Sequence, residues 1–268
     1  MPIDVTTVLS LLGIGIAVGI SAGFIGIGGG VIMVPVLLEL FRAQGMPPEL
    51  IVHVAMGTSL TVGVLSVSSS AFKHHKQGNV IWKVVPWLAP ASMAGSWIAS
   101  QLAVGIPGTW LQKGLALVLL LAAIRFLTEK RVDLGPMRQL PWYAWLLMGL
   151  GTGLFAGLTG LAGGLVLIPA LAYIAHAATG KLAGTSSGTV LFAALAGSIG
   201  YMMQTPAVEL DGVYIGHVNL LVAASLAVTS VPGAQLGAWL NKKAGAARYK
   251  KIFGVFLILV VIRLFLTA

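Results

Sequence analysis

The chain has 268 residues, of which 57% are hydrophobic and only 9% are charged, and its formal net charge is +9. This composition leaves too little polar surface for a soluble globule and predicts a protein that crosses a lipid bilayer several times. The basic residues stand in short clusters between apolar runs, which indicates membrane-protein loops and no nucleic-acid partner. The chain has no cysteine, which excludes disulfides, iron–sulfur clusters and thiolate metal sites. We expect no cofactor.

Apolar segments follow one another along the chain in two sets of five. The first set comprises residues 5–25, 31–40, 54–72, 80–104 and 110–127. The second set comprises residues 142–158, 165–177, 185–203, 213–240 and 252–266. We expect all ten to be helical, and we divide the chain into an N-terminal repeat (1–127), a cytoplasmic linker (128–141) and a C-terminal repeat (142–268). The segments that begin at Val31 and Leu165 are too short to cross alone, because a full span needs about 20 residues.

A glycine-rich stretch precedes each of the two short segments. Residues 26–30 read GIGGG and residues 160–164 read GLAGG. Glycine lets the backbone leave the helical conformation, and the helix that restarts after each break has free N–H groups and a positive dipole end, which bind anions well. The alternative is that the glycines only allow close helix packing. Nucleotide binding is not favoured, because no strand precedes the stretch and no GxxxxGK[ST] motif is present.

These features belong to an internal repeat in which the order of residues is preserved. The glycine breaks and a following proline recur at an offset of 134, Gly-Thr-Ser recurs at 127, and three later positions recur at 138. The matched pairs are Gly29 and Gly163, Gly30 and Gly164, Pro35 and Pro169, Gly57-Thr58-Ser59 and Gly184-Thr185-Ser186, Gly78 and Gly216, Gly95 and Gly233, and Arg125 and Arg263. A duplicated half explains this pattern.

Charge predicts how the two halves are oriented. If the connections 73–83, 128–141 and 241–251 are cytoplasmic, 13 of the 16 Lys and Arg residues lie inside, and only Arg42, Lys113 and Arg263 lie outside. Both termini are then periplasmic, and each glycine-containing pair of segments forms a hairpin with its glycines at the tip. The predicted fold is therefore an all-α integral membrane protein of two inverted repeats, each with about five helical segments and a glycine-tipped broken or re-entrant hairpin.

Hydroxyl groups recur in both halves, at the predicted start of a membrane segment. The side chains of Thr58, Ser59, Thr185 and Ser186 could donate to substrate oxygens or could bond back to helix carbonyls, and both interpretations stay open. Gln235 is a lone amide that could bind substrate or join two helices. The candidate substrate-binding residues are Gly28, Gly29, Gly30, Thr58, Ser59, Gly163, Gly164, Thr185, Ser186 and Gln235.

The ionisable residues suggest neither a catalytic nor a metal site. Arg125 and Arg263 lie near segment ends, where a snorkelling side chain is the default interpretation and a gate or substrate contact is the alternative. His53, His176 and His217 could each carry a proton, but their spacing defines no metal site. The alternative of an intramembrane enzyme that acts on lipid would need a nucleophile or metal set, and the chain has no Cys, no HExxH motif and no embedded Asp pair. We therefore expect no enzyme activity.

Taken together, the paired glycine motifs, the repeated Gly-Thr-Ser and the basic loop before Gly78 resemble the sulfite exporter TauE/SafE family, also described as toluene-sulfonate uptake permeases. The resemblance implies a secondary transporter in the bacterial inner membrane for a sulfur-containing anion such as sulfite, an organosulfonate or sulfoacetate. An anion channel, or a carrier of another small organic anion such as a carboxylate, is the alternative. Partners would be the small anion and the lipid bilayer, with a coupled proton or ion and a homodimer left open. The second copy departs from the first, with Ala162 where the first has Gly28.

Overall fold

The computed structural model describes residues 11–20, 29–128, 136–206, 208, 210, 212–243 and 246–267. Within these residues the chain forms ten α-helices and one short antiparallel hairpin. The helices are α1 (Leu11–Ile20), α2 (Gly30–Ala43), α3 (Pro48–Lys76), α4 (Val85–Val104), α5 (Gly108–Thr128), α6 (Trp142–Thr159), α7 (Gly164–Pro169), α8 (Thr179–Met202), α9 (Leu220–Lys243) and α10 (Ala246–Leu266). Helix α7 continues as a π-helical turn over Ala170–Ile174, and strands β1 (Tyr214–Ile215) and β2 (Val218–Asn219) pair between α8 and α9.

The helices confirm the predicted class, an all-α integral membrane protein. Four of them are long and apolar enough to cross a bilayer, namely Pro48–Lys76, Gly108–Arg125, Thr179–Met202 and Leu220–Gly237. Large apolar side chains are exposed on the outer helices, for example Trp110 on α5, Leu147 on α6 and Leu259 on α10. Lipid is the solvent that such surfaces require.

Two predicted boundaries are wrong. Residues 213–219 are not the start of a helix but form the hairpin, because Gly212 and Gly216 take positive φ angles of 129° and 54° that end regular helix there. The Gly-Thr-Ser motifs lie inside helices and not at their starts, since α3 already begins at Pro48 and α8 at Thr179. Proline fits the first turn of a helix because its missing N–H would have no partner there.

The core is built around α3 and α8, which pack against each other and against α4, α6 and α9. Glycines allow the closest approaches. Gly153 of α6 lies against the Ser92 carbonyl of α4, and Gly19 of α1 lies against the Ser230 carbonyl of α9. These two contacts are equivalent in the repeat, so each half contributes the same packing of a small-residue helix on its neighbour.

The second half contains the predicted hairpin. Helix α6 runs parallel to α4, with Gly149 against Leu88 and Gly157 against Ser96. The segment after α7 returns to the start of α6, where the Arg138 N–H donates to the Ala175 carbonyl at 2.9 Å. The glycine-rich residues 160–163 therefore form the tip between α6 and α7.

In the first half, α1 runs parallel to α9, since Gly15 lies near Leu226 and Gly19 near Ser230. Helix α2 ends at Arg42 and Ala43, beside the Gln112 side chain of α5. The residues that join α1 to α2 lie outside the described part of the chain, and Gly28 is one of them.

The described connections gather at two ends of the molecule. At the Arg42 end (residues 43–53, 103–108, 203–206, 208, 210 and 212–219), His53 contacts the carbonyls of Ala103 and Ile106 and the ring of His217. At the Lys76 end (residues 76–84, 136–141 and 175–179), the Arg138–Ala175 bond joins two connections.

Candidate functional site

The two short helices begin in the same way. Gly29, before α2, has φ 69° and ψ −22°, and Gly163, before α7, has φ 78° and ψ −12°. Glycine suits this left-handed conformation because it has no Cβ. The Gly29 carbonyl accepts from the N–H groups of Ile32 and Met33, each at 3.1 Å, and the Gly163 carbonyl accepts in the same way from the N–H groups three and four residues later. The N–H groups of the first two residues of each helix have no intrahelical acceptor.

The two glycine breaks are in direct contact. A Cβ added to Gly30 would lie 2.8 Å from the Leu161 Cα and 2.9 Å from the Gly160 carbonyl oxygen. Gly160 is packed equally closely, since its own added Cβ would lie 2.8 Å from the Met56 Cα of α3. The start of α2, the tip of the second hairpin and the middle of α3 therefore meet in the buried interior.

The tip at residues 160–163 has an unusual run of left-handed residues. Gly160, Ala162 and Gly163 have φ angles of 69°, 57° and 78°. An alanine in this conformation costs roughly 1–2 kcal/mol. Ser59 of α3 stabilises the tip, because its hydroxyl donates to the Gly160 carbonyl at 2.9 Å. Ala162, which departs from the first copy in sequence, therefore adopts a backbone conformation that glycine would adopt at lower cost.

The threonines of the Gly-Thr-Ser motifs join the two halves by equivalent bonds. The Asn219 N–H donates to the Thr58 Oγ1 at 3.1 Å, and the Ile81 N–H donates to the Thr185 Oγ1 at 2.9 Å. Ile81 and Asn219 are 138 residues apart, the same offset as Gly78 and Gly216. The threonine of each half thus holds a connection that belongs to the other half.

The glycines of the same motifs make room for these connections. Gly57 lies against the His217 carbonyl and Gly184 against the Asn79 carbonyl, which are again 138 residues apart. A side chain at either glycine would push the connection away. Sequence inspection missed Asn79, Ile81 and the other connecting residues, although the offset of 138 was a sufficient clue to their equivalence.

Ser186 differs from the other three hydroxyl residues. It is 1% exposed, and its Oγ has no hydrogen-bond partner in the described part of the chain. Its counterpart Ser59 bonds to Gly160, whose own counterpart is Gly26, outside the described residues. Within the described residues, the buried Ser186 hydroxyl therefore has no hydrogen-bond acceptor.

Gln235 lies away from the other candidate residues. Its side-chain amide donates to the Ser69 hydroxyl of α3 at 3.2 Å, and its backbone carbonyl accepts from Lys73. Ser69 lies eleven residues beyond Thr58, or roughly 16 Å along the helix. Gln235 joins α9 to α3 on the side of the Lys76 end.

The paired arginines both have partners, which sequence inspection missed. Arg263 bonds to the Glu39 carboxylate at 2.7 Å, and the Arg42 guanidinium bonds to the same carboxylate at 3.0 Å. Arg125 lies over the Tyr173 ring, 5.4 Å from its centroid. Glu39 and Tyr173 are 134 residues apart, so the two arginine contacts are equivalent in position but differ in chemistry. Among the described residues, no three His, Asp or Glu side chains are grouped as metal ligands would be.

Comparison with known proteins gives the family. The profile of the family described as "Sulfite exporter TauE/SafE" matches residues 11–264. A probable membrane transporter protein of Haemophilus influenzae is 28% identical over 97% of this chain and 99% of its own length. One of Methanocaldococcus jannaschii is 31% identical over 87% of this chain and 86% of its own length. No solved structure matches significantly. Because the profile spans both glycine breaks and both Gly-Thr-Ser motifs, the chain belongs to the sulfite exporter TauE/SafE family of membrane transporters.

Proposed function

We propose that this chain is a secondary transporter that exports a small sulfur-containing anion, such as sulfite or an organosulfonate like sulfoacetate, across the bacterial inner membrane. The contact between the two glycine breaks carries this proposal, because it places the start of α2 against residues 160 and 161 of the tip that precedes α7, a helix that starts with the same backbone geometry. Unpaired N–H groups and the positive ends of two helix dipoles are suited to an anion.

The substrate would lie between the two helix starts. The N–H groups of residues 29–31 and 163–165 would donate to its oxygens, and the Ser186 hydroxyl, which has no partner among the described residues, would add a further bond. Thr58, Ser59 and Thr185 would position the site, since their oxygens already bond to the tip or to the connections of the opposite half. The described residues of the two breaks, 29–30 and 160–164, carry no acidic side chain that would repel an anion.

Alternating access would come from rocking one inverted half against the other. Three observations support this mechanism. The packing of α6 on α4 is repeated by α1 on α9, the two threonine bonds are equivalent, and helices α1 and α6 begin at opposite ends of the molecule. Two arrangements of nearly equal energy are expected from such a duplicated fold. The Lys76 end would face the cytoplasm, because among the described residues Lys76, Lys83, Arg138 and Lys181 lie at or near it.

Counterflow in proteoliposomes tests the proposal. Purified protein is reconstituted, and uptake of radiolabelled sulfite is measured against internal unlabelled sulfite. We expect saturable exchange that sulfoacetate inhibits more strongly than acetate does, and we expect Gln235→Ala to behave like the unaltered protein. Ion conductance without saturation would instead indicate a channel, and saturable exchange of acetate but not sulfite would indicate a carboxylate carrier. Absence of all three fluxes would refute transport of these anions.

A further inference from the structure

His53 lies near the start of α3 at the Arg42 end, and its ring is buried among backbone carbonyls. Its Nδ1 is 2.9 Å from the Glu49 carbonyl oxygen. Its Nε2 is 3.1 Å from the carbonyl oxygens of both Ala103 and Ile106. Both ring nitrogens therefore face groups that can only accept a hydrogen bond.

A neutral imidazole cannot satisfy this environment. It has one N–H donor and one nitrogen lone pair, so one of its nitrogens would direct a lone pair at a carbonyl oxygen. The imidazolium donates from both nitrogens, and charge-assisted bonds of this kind are stronger than neutral ones. We propose that His53 is a proton-binding site, and that its bound proton ties α3 to the connection between α4 and α5.

The charged and titratable side chains around this end come from several elements. Within the described residues they are Glu49 on α3, Tyr214 and His217 on the hairpin, Tyr201 on α8, Glu39 and Arg42 on α2, Lys113 on α5 and Arg263 on α10. Glu49 precedes His53 by four residues, so it lies on the same helix face, where a carboxylate favours the imidazolium. Arg42 and Arg263 are paired with Glu39, and the Lys113 ammonium lies over the Trp110 ring.

His217 is the second histidine of this site, with its ring centroid 5.8 Å from that of His53. Its Nδ1 is buried and has no partner among the described residues. Burial, reinforced by the neighbouring His53, lowers the pKa of His217 to about 4 from its usual 6.5. An extra proton on this pair would therefore lie on the His53 ring, whose nitrogens face three carbonyl oxygens.

Loss of the proton would weaken the contact of α3 with residues 103–106. One of the two ring N–H groups that donate to the three carbonyl oxygens would be lost, and a nitrogen lone pair would face a carbonyl oxygen in its place. Met56, which packs on the tip at Gly160, lies only three residues beyond His53 on α3. Opening of the Arg42 end should therefore depend on protonation of His53. Coupling of this proton to anion movement rests on the proposed function, whereas proton binding itself does not.

Nitrogen NMR of the full chain, labelled with ¹⁵N-histidine and held in detergent, measures the protonation directly. The chain has five histidines, and His53→Gln and His217→Gln each remove one set of signals and so identify it. We expect the His53 signals to show two protonated nitrogens at neutral pH and the His217 signals to show one. Neutral-ring signals for His53 at that pH would overturn the proposal. If His53→Gln does not fold, substitution of the other four histidines in turn assigns its signals by elimination.

A spin label tests the proposed tie between α3 and the α4–α5 connection. Gly105→Cys introduces a unique thiol in this connection, where an added Cβ meets only the Leu102 carbonyl at 3.5 Å. We expect the label to become more mobile over the pH range in which NMR shows His53 losing its proton. The change should vanish in His53→Gln and in a label at Gln77, at the opposite end. A label at residue 105 whose mobility is independent of pH, or equally pH-dependent in His53→Gln, would refute the tie. Neither measurement uses sulfite, so failure of sulfite exchange alone would refute only the proposed function.

Discussion

Substitution of Gly30 by alanine tests the contact between the two glycine breaks. Gly30 is the first residue of α2 and is not among the residues with positive φ, so alanine fits its backbone. Alanine is favoured over glycine in helices by up to about 1 kcal/mol. On helix propensity alone, the substitution should stabilise the protein.

The packing predicts the opposite result. The new Cβ would lie 2.8 Å from the Leu161 Cα, whereas ordinary contacts begin at 3.4 Å, so the tip must move by roughly 0.6 Å. Overfilling a packed interior costs about 1–3 kcal/mol. After a gain of about 1 kcal/mol in helix propensity, we expect a net loss of up to about 2 kcal/mol. At about 2–4 °C for each kcal/mol in a chain of this size, the unfolding midpoint should fall by up to roughly 8 °C.

Thermal unfolding in detergent and sulfite counterflow measure the two consequences. Gly151→Ala in α6 is the matched control, because an added Cβ there meets nothing within 4 Å. It should keep or raise the midpoint and leave exchange unchanged, whereas Gly30→Ala should lower the midpoint and slow the exchange. If both variants are equally stable and equally active, the two breaks do not meet as described.

Three other predictions separate structural from substrate-binding roles. Ser59→Ala should lower stability by about 1–3 kcal/mol, because it leaves the buried Gly160 carbonyl without its donor, whereas Ser186→Ala should leave the unfolding midpoint unchanged and raise the KM for sulfite. A large fall in the midpoint of Ser186→Ala would show that its hydroxyl has a structural partner. Thr58→Val and Thr185→Val should each cost about 1–3 kcal/mol, since each removes the acceptor of a backbone N–H from the opposite half; unequal losses in denaturation would contradict their equivalence. Because the pKa of His217 falls from 6.5 to about 4 on folding, the unfolded chain binds the proton more readily, so this stabilisation is present above pH 6.5 and is lost as the pH falls towards 4. Unfolding midpoints measured across that window should fall less in His217→Gln, and an unchanged slope would exclude His217 as the cause.

The helices and their interruptions could be predicted because each depends on local sequence. Long apolar runs predicted the membrane helices, and the breaks before Val31 and Leu165 predicted the short helices α2 and α7. The hairpin at residues 213–219 was missed, because it lies at the start of an apolar run and because glycine is also frequent in membrane helices, so that Gly212 and Gly216 did not mark it. Gln235 was grouped with the site on residue type alone, whereas its partner Ser69 is 166 residues away in sequence.

The contacts at the candidate site could not be predicted, because they involve backbone groups that every residue has. Nothing in the type of Ile81 or Asn219 indicates that its N–H bonds to a threonine of the other half. The three carbonyls around His53 come from residues 49, 103 and 106, and no side chain marks them as acceptors. Such bonds depend on where distant segments of backbone are brought together.

The sequence by itself determined that the protein lies in lipid, which segments are helical, that the two halves repeat and where the two glycine breaks fall. These follow from hydrophobicity, glycine content and residue order, which are properties of short segments. Only the tertiary structure decided that Gly30 packs on Leu161, that the Ser186 hydroxyl has no partner among the described residues, and that both nitrogens of His53 face acceptors. The physical reason is that polar groups buried in a membrane protein must find partners within the protein, and the path of the whole chain determines which partners are within reach.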